Sequence, residues 1–510
     1  MKTLSAFFAL FAKFGCILLA TFDFFAIYAK KTAIYAPKSK KRKYYYIIYC
    51  KVIQEELVKK VDKTITVKSP SMFDNDEVRS GTISLEAFTP LGKSESVTID
   101  VAILDNPDVD YRNAPANCYV ANKYDTRYLF NPYVGGNSTE LDTEYIEIIW
   151  QTEVNVIEYV DMYDGVASFY VKQLKENNEP KGELKPGNAL IGAYDKSGNL
   201  IWTWHVWVTS SNPEADVVEI AGRELMNINL GANCNSEGGS DTQKIGGSYG
   251  LYYQWGRRTP IPGPQDWSFS LNYDKIIYNK KGYETSLKYV TSDAENGNVE
   301  WAEKNPLSII CGNKDNDYDW IYSGHDDELW STTTKSEHDP CPAGWRIPDS
   351  SIYANLTITA TDDDMNWQEA QKMYGWHLED VTTGATYFFT AQGRRNYLDG
   401  RLDIVNDDDF RPIPWSGYYW TASALEDGNA EAMFFDLNSE TRATWNAFEP
   451  ARSMRRANAM PVRCVSRMSK AHVTDLSDYQ TANSYIISKK GFYKFKATIR
   501  GNGIGQLVSP

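Results

Sequence analysis

Apolar and polar positions alternate with a period of two along much of the chain up to residue 215, and the alternation then breaks up. Such a pattern turns one face of a strand toward a core and the other toward water. Residues 61–104 carry it through "TITVKSP", "GTISLEAFTP" and "SVTIDVAIL", which predict successive strands. "DNPDVDYRNAP", residues 105–115, is polar with two prolines and predicts a linker. Residues 116–215 alternate again in "EYIEIIWQTE", "VASFYVKQL" and "LIGAYDKSGNLIWTWHVWV", and predict a β-sandwich module. "DKSGN" reads as its hairpin turn, with Gly198 supplying positive φ. The strand over Leu200–Val208 concentrates Trp202, Trp204, His205 and Trp207, which fits a buried sandwich strand better than an exposed stacking strip.

From 217 to 468, loops rich in Gly, Asn and Asp separate short aromatic strands. One helix is predicted over Met365–Trp376, where Trp367, Ala370, Met373 and Tyr374 recur at helical spacing. "DPCPAGWRIP", Asp339–Pro348, holds too many prolines for a helix interior or a central strand, so it is a stiff loop. Residues 469–481 read as a second linker. Residues 482–510 restart the module that begins near Ala114: "ANSYIISKKGFYKF" echoes "ANCYVANKYDTRYLF", with Ser484 in the place of Cys118. The fold class is therefore mainly β with an α+β module. Residues 61–104 resemble the last strands of an immunoglobulin-like sandwich.

A chain of 510 residues holds several domains. Its net charge of -14 argues against a nucleic-acid partner, which needs basic patches. With 5 histidines, histidine-based catalysis or zinc binding is a poor fit. The 7 cysteines include no Cys-x-x-Cys pair, so zinc-ribbon and thioredoxin chemistry have no support. Setting Cys16 and Cys50 aside, Cys118, Cys234, Cys311, Cys341 and Cys464 suit a large exported domain with one or two disulfides. Residues 1–60 read as a signal, an anchor, or sequence upstream of the true start. Ser5–Tyr28 is apolar apart from Lys13 and Asp23, and lysines follow it. Those lysines are the wrong flank for easy export, so export to the cell surface, outer membrane or extracellular space is expected mainly from the rest of the chain, and any membrane attachment would run through this segment.

Six stretches occur in a telling order: "GGSYGLYYQWGR" (246–257), "DPCPAGWRIP" (339–348), "YFFTAQGRRNYLDGRL" (387–402), "YYWTAS" (418–423), "AMFFDL" (432–437) and "AMPVRCV" (459–465). This ordered set resembles the Fibrobacter succinogenes major paralogous domain, over about half the chain. Upstream, "ANCYV" and "LIWTWHVWVTS" resemble the module that precedes this domain in fimbrillin-like and tip-adhesin-like proteins of Bacteroides. "INLGA" (228–232) is similar to the "RNLGA" common there, with Asn227-Ile228 in place of Asp-Arg. The resemblance implies a C-type-lectin-like, loop-rich domain over 217–468 following the sandwich module. It also implies a disulfide between Cys341 and Cys464, with Trp345 packed over it, so that the proline-rich loop is a staple and not a reactive site.

For a binding site, Asp315, Asp317 and Asp319 alternate as oxygen ligands around calcium can, though the match to an EF-hand loop is poor and a solvated acidic loop reads as well. Asp362–Asp364 and Asp407–Asp409 read as solvated runs. "TWNAFEPA" (444–451) holds Trp-Asn and Glu-Pro in reversed order and is not read as a sugar–calcium motif. Stacking is the better route to a sugar: Trp415, Tyr418, Tyr419 and Trp420 fall near Arg394 and Arg395 in the order of strands. At least one of the three consecutive aromatics is expected in the core. Arg452, Arg455 and Arg456 form a basic spot that either meets anionic glycans or offsets nearby acids. The chain is thus expected to be a non-enzymatic exported adhesin or glycan-binding component. It needs no cofactor, and calcium is the one metal suggested. Its partners are glycans, surface proteins of host or bacterium, or fimbrial subunits. The alternative is a structural role, as a cap on a pilus tip, with protein contacts only.

Overall fold

A strand whose two faces are both apolar belongs between two cores, and two strands of this chain have that character: "CYVA" and "LIWTWHVWV". The computed structural model describes residues 109–467 apart from 164, 177–178, 238–240, 265–274, 359–373, 404–415 and 437–446. Outside that span it describes only the strands Ile27–Ala29, Tyr45–Cys50, Lys63–Lys68, Arg79–Thr89, Gly92–Ile103, Gln480–Thr481 and Ser484–Tyr485. The chain divides into one unit over 1–107 and another over 108–510. In the first, Arg79–Thr89 pairs antiparallel with Gly92–Ile103, so the alternation of 79–103 does make a hairpin. Most of the leader or anchor expected over 1–60, and most of the repeat expected over 482–510, lie outside the described residues.

The second unit begins with Val109–Asp110 (β1), Cys118–Ala121 (β2), Thr126–Phe130 (β3), Tyr145–Gln151 (β4), Val160–Tyr163 (β5), Val166–Val171 (β6), Gly187–Tyr194 (β7) and Leu200–Val208 (β8). Strands β5-β6-β3-β1 form one sheet. A second sheet has the order β10-β9-β4-β7-β8-β2, where β9 is Ile277–Tyr278 and β10 is Glu284–Thr285. The arrangement is mainly β and sandwich-like. Tyr128, Phe130, Phe169, Ile191, Trp204 and Val206 fill the space between the two sheets. The expected linker over 105–115 is corrected at its second half. Tyr111 bonds the Val120 carbonyl at 2.6 Å and stacks on Tyr119 at 5.3 Å, so it belongs to the sandwich.

The other face of the six-stranded sheet is also buried. Val120, Trp150, Leu190 and Trp207 point away from the sandwich core into a second one, which holds Trp255, Trp320, Trp330, Trp345 and Trp420. The period of two thus serves both faces: Ala189 and Ile191 turn one way and Leu190 the other. The sheet and this second core both cross the boundary expected near residue 216. Tyr278 pairs with Gln151 across it, and Trp207 donates its indole N–H to the Ala232 carbonyl at 2.7 Å.

His205 lies on β8, and its Nε2 is 2.8 Å from Asn188 Oδ1. Asn188 gives its own amide N–H to Gly231, so its oxygen must accept and His205 carries its proton on Nε2. Burial pushes the imidazole down to about 3, so it is neutral in the folded protein.

Further along come Val299–Lys304 (α1), Trp345–Arg346 (β11), Gly375–Asp380 (β12), Thr386–Thr390 (β13), Ser416–Ala424 (β14), Asn429–Asp436 (β15), Phe448–Arg455 (β16) and Val465–Ser466 (β17). Cys341 and Cys464 form a disulfide with their Cα atoms 6.0 Å apart. Beside it β11 pairs with β17, Trp345 opposite Ser466. Trp345 shares the second core with both cysteines. Gly344 takes φ +80°, which a side chain resists, and this accounts for the glycine before the tryptophan. The loop has an internal anchor that the sequence reading missed. Lys335, fully buried, donates to Asp339 at 2.6 Å and to the carbonyls of Cys341 and Trp345 at 2.8 and 2.9 Å. Asp339 in turn accepts the backbone N–H groups of Cys341 and Ile347 at 2.9 Å each. Every polar group of this buried pair has a partner, the condition under which a buried charge pair is tolerated.

The helix expected over Met365–Trp376 is corrected at its end. Gly375 and Trp376 open strand β12, paired with β13, and the rest up to 373 lies outside the described residues. Gly375 sits against the ring of Phe388, so this edge is packed as a sheet.

Candidate functional site

The expected stacking surface does not assemble as a surface. Tyr419, Trp420 and Arg395 are fully buried. Strand β14 has a core on each side: Tyr419 packs with Phe389 and Phe435, and Trp420 joins the tryptophans of the second core. Tyr419 donates to the Thr390 carbonyl at 2.8 Å and Trp420 to that of Tyr253 at 2.9 Å. Arg395 donates to the Pro262 carbonyl at 2.9 Å. These three are therefore corrected from ligand contacts to core residues. Tyr418 and Arg394 do meet, the guanidinium 5.0 Å from the ring centre, and both stay half-buried. Trp415 lies outside the described residues, as do Asp362–Asp364 and Asp407–Asp409.

The aspartates expected around calcium also separate. Asp315 and Asp317 are exposed, whereas Asp319 is buried. Asp319 lies 2.9 Å from His325 Nδ1 and accepts the Ile321 N–H at 3.2 Å. Arg456 is 3.8 Å away. The carboxylate is committed to these partners and not to a shared ion. Among the described residues no group of three or more His, Cys, Asp or Glu side chains could hold a metal. Of the basic spot, Arg456 is buried over Trp255 and bonded to Asp327, and Arg455 bonds the Asp317 carbonyl at 2.9 Å. Arg452 stacks on Phe434 at 4.1 Å. The arginines offset neighbouring acids and rings.

A cleft that the sequence reading did not find lies where the sandwich meets the loop-rich half. It is open to solvent and offers about 620 Å³, within the range of small-ligand sites. The loop before β4 contributes Thr139, Glu140, Leu141 and Asp142, and the β7–β8 turn contributes Asp195. Ile201 and Trp202 come from β8, Val299, Glu300 and Glu303 from α1, and Glu337 and His338 from the loop before the disulfide. Asn298 caps α1 by accepting the Trp301 N–H at 2.9 Å, which fixes the acidic helix start at the cleft wall. Gly135 lets the 131–142 loop lie against the Trp202 indole, where any Cβ would collide with the ring.

The electrostatics of the cleft are one-sided. Arg258, buried beneath it, stacks on Trp202 at 3.6 Å and pairs with Glu303. His338 bridges two acids: its Nδ1 is 3.3 Å from Glu303 and its Nε2 3.3 Å from Glu337. Burial works against ionised Glu303, but the hydrogen bond of His338 and the charge and bond of Arg258 outweigh it and hold the carboxyl below its usual range. Asp195 is held low by the side-chain and backbone N–H groups of Asn199. Glu140 and Asp142 form no ion pair with any described residue. Glu337 accepts the Thr139 hydroxyl at 2.9 Å, so the two halves are tied together at the rim. Locally, "STELD", "VEWAEK" and "SEHD" are merely acidic. Only the tertiary fold brings these three stretches together, which is why no spacing rule could find the cleft.

No protein-family model, no curated protein and no solved structure matches the chain.

Proposed function

We propose that this chain is a non-enzymatic, exported cell-surface protein of the adhesin kind that binds carbohydrate in the seam cleft. The observation that carries the reading is the cleft itself: a ligand-sized hollow walled by both halves of one unit and lined by six carboxylates and one imidazole. Carboxylates accept hydrogen bonds from sugar hydroxyls. Glu303 and Asp195 are held low, the opposite of the raised pKa that a general acid needs. The Cys341–Cys464 bridge suits an oxidising compartment, which supports export. On this reading the sandwich is immunoglobulin-like and the loop-rich half C-type-lectin-like, as the ordered motifs imply.

A structural role as a filament cap is the second reading, favoured by the burial of Tyr419, Trp420 and Arg395. A glycan array probed with the full chain, with calcium and with chelator, separates the two. Selective binding that persists in chelator is expected, because Asp319 is committed to His325 and Ile321. A blank array from folded protein would favour the cap. Binding abolished by chelator would return the site to the acidic loops.

A further inference from the structure

We propose a second carbohydrate site on the loop-rich half, where Tyr289, Tyr318, Tyr397 and Leu398 form an apolar platform that stacks an uncharged glycan of β-linked, glucose-configured rings. It is separate from the cleft and does not depend on it. The first argument is a contiguous apolar surface. Tyr289 is 41% exposed on the strand Lys288–Thr291, and Leu398 is 53% exposed on the turn that follows the strand Arg394–Arg395. Asn396 closes that turn, donating its backbone N–H to the Arg401 carbonyl and accepting that of Gly400, each at 2.8 Å. Gly400 lies against the Tyr289 ring, so the turn and the strand share one surface. Tyr397, on the same turn, meets the Tyr318 ring edge-on with 5.1 Å between ring centres. Exposed apolar side chains standing singly are ordinary, but a contiguous group with a polar rim marks a binding surface.

The second argument is strain. Asp317 and Tyr318 take φ +51° and +59°, a left-handed backbone that a bulky residue resists. Their surroundings hold them there. Tyr318 donates its N–H to the Asn313 carbonyl at 2.9 Å, and Arg455 donates to the Asp317 carbonyl at 2.9 Å. Gly312 passes where any Cβ would collide with the Tyr318 carbonyl. Strain that the surroundings maintain marks functional positions, and here it fixes a half-buried ring before any ligand arrives.

The rim decides the occupant. Asp315 and Asp317 precede Tyr318 and Asp399 follows Leu398, and all three are exposed. A glucose-configured pyranose carries C–H bonds on its faces and hydroxyls around its edge. The aromatic rings suit the faces, and the carboxylates accept the hydroxyls. A stable protein interface takes roughly 20–30 residues a side, whereas four apolar side chains match a short stretch of sugar rings.

Calorimetric titration of the full chain with cellohexaose and with N-acetylchitohexaose tests this. At least one hexamer is expected to bind, with an affinity that does not fall as salt rises, because neither probe is charged. Tyr289→Ala with Leu398→Ala should weaken it about fivefold or more, the order of one lost stacking contact. Both side chains are exposed, so this variant should keep its thermal transition. Tyr289→Phe keeps the ring and should bind like the parent. Tyr318→Gly relieves the left-handed backbone, so it should weaken binding by a similar factor without lowering the thermal transition. A folded chain that binds neither hexamer overturns the proposal. Binding unchanged in the Tyr289→Ala, Leu398→Ala variant places the glycan elsewhere and overturns it as well. A Tyr318→Gly chain with a lowered transition and intact binding would make Tyr318 a packing residue and overturn its role. Self-association in sedimentation that the double variant abolishes, with neither hexamer bound, would reassign the platform to a second copy of the chain.

Discussion

Replacing Cys341 and Cys464 together by alanine is expected to lower the stability of the 108–510 unit by about 5 kcal/mol. The bridge closes a separation of 123 residues. In the chain-entropy account, a crosslink removes conformations from the unfolded chain, and a loop of this length is worth about 5 kcal/mol. The native geometry should survive the loss. Lys335 and Asp339 hold the proline-rich loop from within by five hydrogen bonds that do not involve sulfur. β11 still pairs with β17. Urea unfolding followed by tryptophan emission measures this in the full chain, because all 15 tryptophans lie at or beyond residue 150 and none in the 1–107 unit. A loss under about 1 kcal/mol would mean that the unfolded chain keeps its ends close without the bridge.

Acidification is expected to weaken the same unit through His205. Its folded pKa, about 3, lies below the ordinary value of about 6.5. The unfolded chain therefore takes up a proton that the folded chain refuses. The sign follows: the contribution of His205 to stability is whole above about pH 6.5 and is lost as pH falls toward 3. One pKa unit is worth about 1.4 kcal/mol, so the loss by pH 5 is about 2 kcal/mol. His205→Gln keeps a donor for Asn188 but cannot titrate. Its stability gap to the parent should shrink by about 2 kcal/mol between pH 7.5 and pH 5 in urea melts. Parallel curves would show that the folded site accepts the proton.

Period-two alternation made the strands of residues 116–215 legible, and the hairpin at Asp195–Asn199 with them. It could not show that Leu190, Trp207 and Val120 serve a second core, because an apolar run reads the same between two sheets as between a sheet and a loop-rich layer. The Cys341–Cys464 pairing came from the resemblance, and the structure contains that bond. The loop's other anchor, Lys335 with Asp339, looked like two ordinary surface charges four residues apart. Aromatic clustering misled at Tyr419 and Trp420, since a strand with a core on each side buries consecutive residues. The cleft was the least legible element. Its walls come from residues 139–142, 195–202, 299–303 and 337–338; 195–202 reads as a turn and the start of a buried strand, and each of the other three alone is merely an acidic segment.

The most direct test of the account is amide hydrogen exchange of the full chain with and without a carbohydrate that the array selects. Protection is predicted on residues 139–142, 299–303 and 337–338, three of the four segments that wall the seam cleft. Protection confined instead to the strands around Arg394 and Tyr418, with the cleft unchanged, would contradict it.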